Sequence, residues 1–266
     1  MGFLDRILPS VRESVESDTY LDGLPPAPRR RARSFRAAVS RRASALACVV
    51  EFKRASPGYA EPHLPTPSFE RFAGQVEHAG AAAFSCLACA PEFGGSPQDV
   101  AELSSRTSLP VLFKDFVVDS RQLEAAHRSG ASAVLLIARL ETERRLRVPL
   151  AALNSEAHDL GLETLLELHL PEDLDVARRV PADGYGVNVR DLDSLRLERN
   201  RAAQLIRDAR TLRPLLGLSG VEGPSEVAWF RSLGVDGFLV GTAVARARDP
   251  EAFISELVHA GAVEAG

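Results

Sequence analysis

Cysteine and surplus positive charge are in short supply in this chain, and long apolar runs are missing. Three cysteines, Cys48, Cys86 and Cys89, occur in 266 residues. An odd number in a chain of this size argues against a disulfide framework. Cys86 and Cys89 form a C-x-x-C, but a metal site needs two further ligands and a redox pair opens a helix. These two flank the end of an apolar run instead, so no metal or redox role is assigned to them. The 32 Lys and Arg are outnumbered by 36 Asp and Glu, giving a net charge of -4 and a pI near 5.9. That balance argues against sequence-independent nucleic-acid binding, which needs a strongly basic face. No run is apolar for long enough to cross a bilayer. The opening Met-Gly-Phe-Leu-Asp-Arg has charges where a signal peptide has its apolar core, and Arg6 where a myristoylation signal has Ser or Thr. The expectation is a cytoplasmic protein with no nucleic-acid or membrane partner, a monomer or weak homodimer.

What is present is a chain 45% hydrophobic and 26% charged, enough for one large core or two small ones. Residues 1 to 45 stand apart. Phe3, Leu4, Ile7, Leu8 and Val11 recur at helical spacing despite Pro9, Pro25-Pro-Ala-Pro28 breaks the chain, and Arg29 to Arg42 holds seven arginines. A basic patch for an anionic partner is one reading; a solvated helical face on an N-terminal extension, packed against the main domain, fits the acidic remainder better. From residue 46 to 266 the pattern becomes regular. Apolar runs at Leu46–Phe52, Ala82–Leu87, Val111–Phe113, Ala133–Ile137, Glu163–Leu168, Gly184–Val187, Pro214–Leu216 and Val235–Val240 predict buried strands. Helical stretches such as Phe69–His78, Gln122–Ser129, Pro171–Val180, Ala202–Arg210 and Ser225–Leu233 separate them, several ending at a glycine: Gly80, Gly130, Gly161 or Gly234. Strand then helix, about eight times, means parallel strands with right-handed crossovers. An open doubly wound sheet satisfies that order too. The count, and polar residues at many strand ends rather than one switch point, favour a closed (β/α)₈ TIM barrel behind an N-terminal helical extension.

Several strand ends carry charge. Val111-Leu-Phe-Lys114 delivers a lysine at the carboxyl end of its strand, just before a turn and a helix. Glu51 and Lys53 are two apart and so share a side, the interior of a barrel, while Phe52 points away. Glu167 interrupts an apolar strand, and Asn188 with Arg190 repeats the two-residue spacing. A charged side chain in a strand end is often a structural ion pair, but this set at one end of four strands reads as a site. Paired lysines lower each other's proton affinity and Glu51 and Glu167 raise it, so the group can supply both acid and base. After the last two strands, Leu218-Ser-Gly220 and Gly241-Thr242 offer small residues and free amides where a helix is predicted to begin. In a barrel those two loops commonly grip phosphate.

The same residues resemble indole-3-glycerol-phosphate synthase. The matching segments are Phe3-Leu-Asp-Arg-Ile-Leu8, Glu51-Phe-Lys-Arg-Ala-Ser-Pro57, Phe93-Gly-Gly-Ser96, Pro110-Val-Leu-Phe-Lys-Asp-Phe116, Leu135-Leu-Ile137, Asn188-Val-Arg-Asp-Leu192 and Gly241. The resemblance implies a (β/α)₈ barrel with an extra N-terminal helix and a ring closure that uses neither metal nor cofactor. In it, a carboxyphenylamino-deoxyribulose phosphate loses carbon dioxide and water. It implies Lys114 as general acid on the substrate carbonyl, with Lys53, Glu51 and Glu167 managing the protons of dehydration. Asn188 and Arg190 would hold hydroxyl and carboxylate, Phe93 and Phe116 the aromatic ring, and Ser56, Ser219, Gly220, Gly241 and Thr242 the phosphate. Two departures stand at the mouth: Leu218 and Cys89 occupy positions that are glutamates in the family. Loss of those carboxylates is expected to make the pocket greasier and to lower lysine proton affinity. A third, Gly58-Tyr-Ala-Glu-Pro62, replaces the usual sequence of a loop that closes over substrate. An ordinary synthase, a paralogue acting on a related amino-deoxyketose phosphate, and a silent sugar-phosphate-binding barrel are the readings carried forward.

Overall fold

The computed structural model describes residues 2–17, 19–26, 33–40, 45–56 and 67–262. Eight parallel strands close on themselves in chain order: β1 Ala47–Phe52, β2 Ala83–Leu87, β3 Val111–Lys114, β4 Ala133–Ile137, β5 Glu163–Leu168, β6 Gly184–Asn188, β7 Leu215–Leu218 and β8 Gly237–Val240. The pairing of β1 with β8, Val49 opposite Leu239, completes the ring. The helices are α1 Phe3–Glu16, α2 Phe35–Val39, α3 Phe69–His78, α4 Pro97–Arg106, α5 Ser120–Arg128, α6 Ala138–Thr142, α7 Leu150–Asp159, α8 Asp173–Arg179, α9 Arg199–Asp208, α10 Pro224–Ser232, α11 Thr242–Arg246 and α12 Pro250–Gly261. The closed barrel is thus the fold, and the open sheet is not.

Most boundaries fall where the apolar runs placed them, and the exceptions have local causes. β8 starts at Gly237 rather than Val235 because Asp236 is a buried tie. Its carboxylate accepts from Leu215 N–H at 2.7 Å and Arg213 Nη1 at 2.9 Å, fastening the entry of β7 to that of β8. β7 starts after Pro214, which has no N–H to add to the ladder, and runs on through Leu218. The predicted helix-ending glycines take left-handed backbone, with φ +84° at Gly80 and +77° at Gly234.

Apolar side chains form two bodies. The larger lies between the outer faces of the strands and the surrounding helices, around Phe84, Phe113, Phe230 and Phe238. The second fills the barrel and continues into α1: Leu112, Leu135, Leu165 and Leu216 join Phe3, Leu4, Ile7, Leu8, Val11 and Val15. α1 is therefore roofed onto the carboxyl end of the barrel by its own apolar stripe. Pro9 sits on its exposed face, where the helical acceptor it leaves unmatched faces solvent. Polar ties at its rim reinforce the seat, Asp5 to Arg145 at 2.8 Å and Arg12 Nη2 to the Arg145 carbonyl at 2.6 Å. Of the basic run, Arg29, Arg30, Arg31, Arg41 and Arg42 lie outside the described residues, as does the segment 58–62.

Candidate active site

The pleat of β1 turns Glu51 inward, where it is 3% exposed, and it sits between two ammonium groups. Lys53 Nζ lies 2.6 Å from Oε1 and Lys114 Nζ 3.5 Å from Oε2, which also accepts from Ser85 Oγ at 3.4 Å. Burial alone would push the Glu51 carboxyl up, but Lys114 and Lys53 outweigh it and hold the group below its ordinary range. Burial likewise pulls Lys114 down, and Glu51, then Glu167, more than offset it, so this amine stays above the usual lysine value. With Cys89 and Leu218 in place of carboxylates, Glu51 and Glu167 are the carboxylates that keep the Lys114 proton affinity above the ordinary lysine value. Each carboxylate holds a lysine charged, and each lysine does the same in return.

Glu167 is the second anion. Its Oε1 accepts from Asn188 Nδ2 at 3.2 Å and lies 3.0 Å from His169 Nε2. Burial would raise this carboxyl; His169, Lys114 and Asn188 together lower it. Asn188 Oδ1 in turn accepts from Arg190 N–H at 3.0 Å, and Arg190 Nη1 donates to the Leu195 carbonyl at 2.7 Å, so the turn after β6 is fixed by its own side chains. The turn after β3 is braced similarly. Asp115, buried beside Lys114, accepts from Phe116 N–H at 2.8 Å and Gln122 Nε2 at 2.9 Å, while Asp119 caps α5 in a capping box with Gln122. Lys114 is thus carried on a strand end that cannot easily swing.

These groups line one cavity, open at the carboxyl end of the barrel. All the residues singled out in the sequence meet there: Glu51, Lys53, Ser56, Phe93, Lys114, Phe116, Glu167, Asn188, Arg190, Ser219, Gly220, Gly241 and Thr242. One wall is aromatic, with ring centroids of Phe93 and Phe116 6.3 Å apart and that of Phe3 6.3 and 6.2 Å from them. The opposite edge is small and polar, with Ser56 Oγ 3.1 Å from Thr242 Oγ1. Gly241 is the N-cap of α11. The other half of that edge differs from expectation: α10 begins only at Pro224, so Ser219 and Gly220 form a left-handed turn, φ +65° and +78°, ahead of the helix rather than its first amides. A side chain at Gly241 would force the Lys53–Glu51 pair to shift, since an added Cβ would stand 2.7 Å from Lys53 Cε and 2.9 Å from Glu51 Oε1.

Sequence reasoning missed three contributors, Phe3, Asp115 and His169, and did not foresee how Leu218 is seated. Phe3 had no local signal to place a residue of the extension against Phe93. Asp115 was read only as part of a motif. His169 closes β5 on the same side as Glu167, a spacing visible in the chain but not pursued. Leu218, 1% exposed, packs its Cδ1 where a Cβ on Gly186 would be, 2.6 Å away, so the residue that departs from the family is seated by a glycine on the neighbouring strand. Cys89 is buried, its Sγ 3.4 Å from the Pro91 carbonyl, and burial, then Asp115, pushes its thiol up; burial does the same to Cys86. Neither is a ready nucleophile.

The model of one protein family, indole-3-glycerol phosphate synthase, matches residues 4–257. Indole-3-glycerol phosphate synthase 2 of Streptomyces coelicolor is 38% identical over 230 residues, 85% of each chain. The Geobacillus thermodenitrificans enzyme of that name is 35% identical over 260 residues, 96% of each chain, and that of Methanopyrus kandleri 34% identical over 271 residues, 97% of this chain and 98% of its own. Among solved structures, thiamine phosphate pyrophosphorylase from Pyrococcus furiosus superposes with a TM-score of 0.59 at 16% identity, covering 85% of this chain and 97% of its own, a likeness of fold alone. With the family model running through α1 and all eight strands, the chain belongs to the indole-3-glycerol phosphate synthase family.

Proposed function

We propose that this protein closes the indole ring of 1-(2-carboxyphenylamino)-1-deoxyribulose 5-phosphate, releasing carbon dioxide and water to give indole-3-glycerol phosphate in tryptophan biosynthesis. The observation that carries the reading is the meeting of two amines and two carboxylates on one rim, between an aromatic wall and a small polar edge. Those three surfaces correspond to the three parts of the substrate: the reacting carbon chain, the aminobenzoate ring and the phosphate. The family match supports it, and the intact set of four charged groups favours neither the paralogue nor the silent barrel.

In this reading Lys114 protonates the substrate carbonyl while the ring carbon bearing the carboxylate attacks it; loss of carbon dioxide then restores the aromatic ring. Lys114 suits that task because its contact with Glu51, 3.5 Å, is looser than the 2.6 Å contact of Lys53, leaving the ammonium able to turn toward a ligand. Dehydration needs a base for the proton and an acid for the departing hydroxyl, roles assigned to Glu167 and to Lys53 held by Glu51. Asn188 and Arg190 hold the hydroxyl and carboxylate groups. Ser56, Ser219, Gly220, Gly241 and Thr242 seat the phosphate, and Phe93 and Phe116 line the ring site. No metal or cofactor is assigned a step. Residues 1–45 serve as a cap on the catalytic barrel of residues 46–266, with Phe3 completing the ring wall. No helix among the described residues is long and apolar enough to cross a membrane, which fits a cytoplasmic place for the enzyme.

Incubation with the carboxyphenylamino-deoxyribulose phosphate tests the proposal directly. The rise of indole absorbance is the expected result; tight binding without that rise would overturn it. Within the same assay, Gly241→Ala is expected to lower kcat/KM about 10- to 100-fold by displacing the Lys53–Glu51 pair, since misplacement on the order of 1 Å is enough for that. Its melting curve should stay close to wild type. A variant with full activity would show that the pair's position does not matter.

A further inference from the structure

His169 follows β5 and stands two residues beyond Glu167, so the two side chains share a side of the strand. Glu167 lines the cavity and His169 does not; the imidazole is 0% exposed and sits behind the carboxylate. Among the described residues neither ring nitrogen completes a hydrogen bond, and Nε2 lies 3.0 Å from Glu167 Oε1. The neighbouring anion is already engaged. Asp173, fully buried at the start of α8, accepts from the backbone N–H of His169 at 2.8 Å and of Leu170 at 3.0 Å, and from the Thr142 hydroxyl at 2.9 Å. Those bonds fix the backbone of His169, and among the described residues the carboxylate beside its ring is that of Glu167.

The two oxygens of Glu167 then divide their work. Oε1 faces Asn188 and His169, while Oε2 is buried with no hydrogen-bond partner among the described residues. A buried carboxylate oxygen left bare is costly unless something else engages it. The imidazole must present a proton to Oε1, because its lone pair facing an anionic oxygen at that separation would be repulsive. The contact has the length of a hydrogen bond without its full alignment, as catalytic contacts commonly do before a ligand tightens them.

We infer that His169 is a positioning residue for Glu167: with Asn188 it pins Oε1 by an Nε2–H contact and so holds the carboxylate in place on the cavity wall. The inference rests on the reading that Glu167 moves protons in dehydration. Among the described residues the charged groups near this pair are Lys114 from β3, with Glu51 of β1 beyond it, and Asp173 from α8, whose carboxylate is taken up by the His169 and Leu170 N–H groups and the Thr142 hydroxyl.

The test uses the whole protein. His169→Leu removes the donor and keeps bulk, and it should lower kcat about 10- to 100-fold, the worth of a hydrogen bond to a charged group, with little change in KM. Without its partner Glu167 binds a proton more readily, so the acid limb of the kcat profile should move to higher pH. His169→Gln, which returns an N–H near the same place, should restore most of both. A ¹⁵N spectrum of the wild-type imidazole should show the proton on Nε2, a measurement that needs no variant to fold. A wild-type profile in His169→Leu, equal losses in Leu and Gln variants with an unmoved acid limb, or a proton on Nδ1 alone would each overturn the inference. If wild-type protein makes no indole product, the proposed reaction fails, and the ¹⁵N spectrum still decides the contact.

Discussion

Lys114→Ala will form indole product at least about 1,000-fold more slowly than wild type, the scale on which a positioned general acid acts. The fold will remain. Lys114 ends a strand whose turn is braced by Asp115, Gln122 and Asp119, none of which needs the lysine side chain. Its removal leaves Glu51 still paired with Lys53 at 2.6 Å, so no anion is stranded, and the vacated space opens onto the cavity rather than a sealed core. Single-turnover kinetics beside a thermal melt separate these effects. A variant that folds and keeps a tenth or more of wild-type activity, by a roughly tenfold criterion, would remove Lys114 from the chemistry. A pH corollary follows from its raised proton affinity. The ion pairs of Lys114 contribute stability in full below the amine's unfolded value, and that contribution is lost as pH rises through the higher folded one. The wild type's stability advantage over Lys114→Ala should therefore fade only in alkali above the ordinary lysine range.

The parts legible in the chain are those written in short-range pattern. Apolar runs bounded by glycines give β4 and β5 to the residue, and α3 likewise, because buried parallel strands and capped helices each announce their ends locally. The charged rim was legible for the same reason: Glu51 and Asn188 are on strands whose inward face the pleat fixes, and Lys53 and Arg190 follow them two residues on, just past the strand ends. What the chain hides is contact between distant segments. Phe3 meets Phe93 only because α1 is drawn over the barrel mouth by a stripe that could have packed elsewhere. The seat of Leu218 against Gly186 depends on the register of β6 against β7, which places Asn188 opposite Leu218. The phosphate edge was half legible. Gly241 does cap a helix, whereas Val221, Glu222 and Gly223 intervene between Gly220 and α10, a length no periodicity reveals.

Glu51→Gln is expected to cost both activity and stability, because Glu51 touches both lysines, 2.6 Å from Lys53 and 3.5 Å from Lys114. Removing its charge leaves Lys53 and Lys114 without the carboxylate they share, with Glu167 the other carboxylate acting on Lys114. Breaking a buried ion pair by deleting one partner costs about 3–5 kcal/mol; with both lysines reaching partly into an open cavity, about 2–3 kcal/mol is the expected loss at neutral pH. The sign with pH is fixed by the lowered folded value of Glu51. Its contribution is complete above the unfolded carboxyl value, about 4.3, and disappears as pH falls through the folded one. The gap in melting temperature between wild type and variant should thus be wide at neutral pH and close in acid. Catalysis changes in a separate direction. Glu51 is the main group holding Lys114 charged against burial, so without it the amine loses its proton at lower pH, and the basic limb of the rate profile should move down as kcat falls about 100-fold or more. Equal melting temperatures at neutral pH together with an unmoved basic limb would mean that the two lysines do not depend on Glu51. The coupling would fail there even if Lys114 proved essential, because a solitary acid at the mouth of a barrel needs no shared carboxylate, whereas a relay between two amines does.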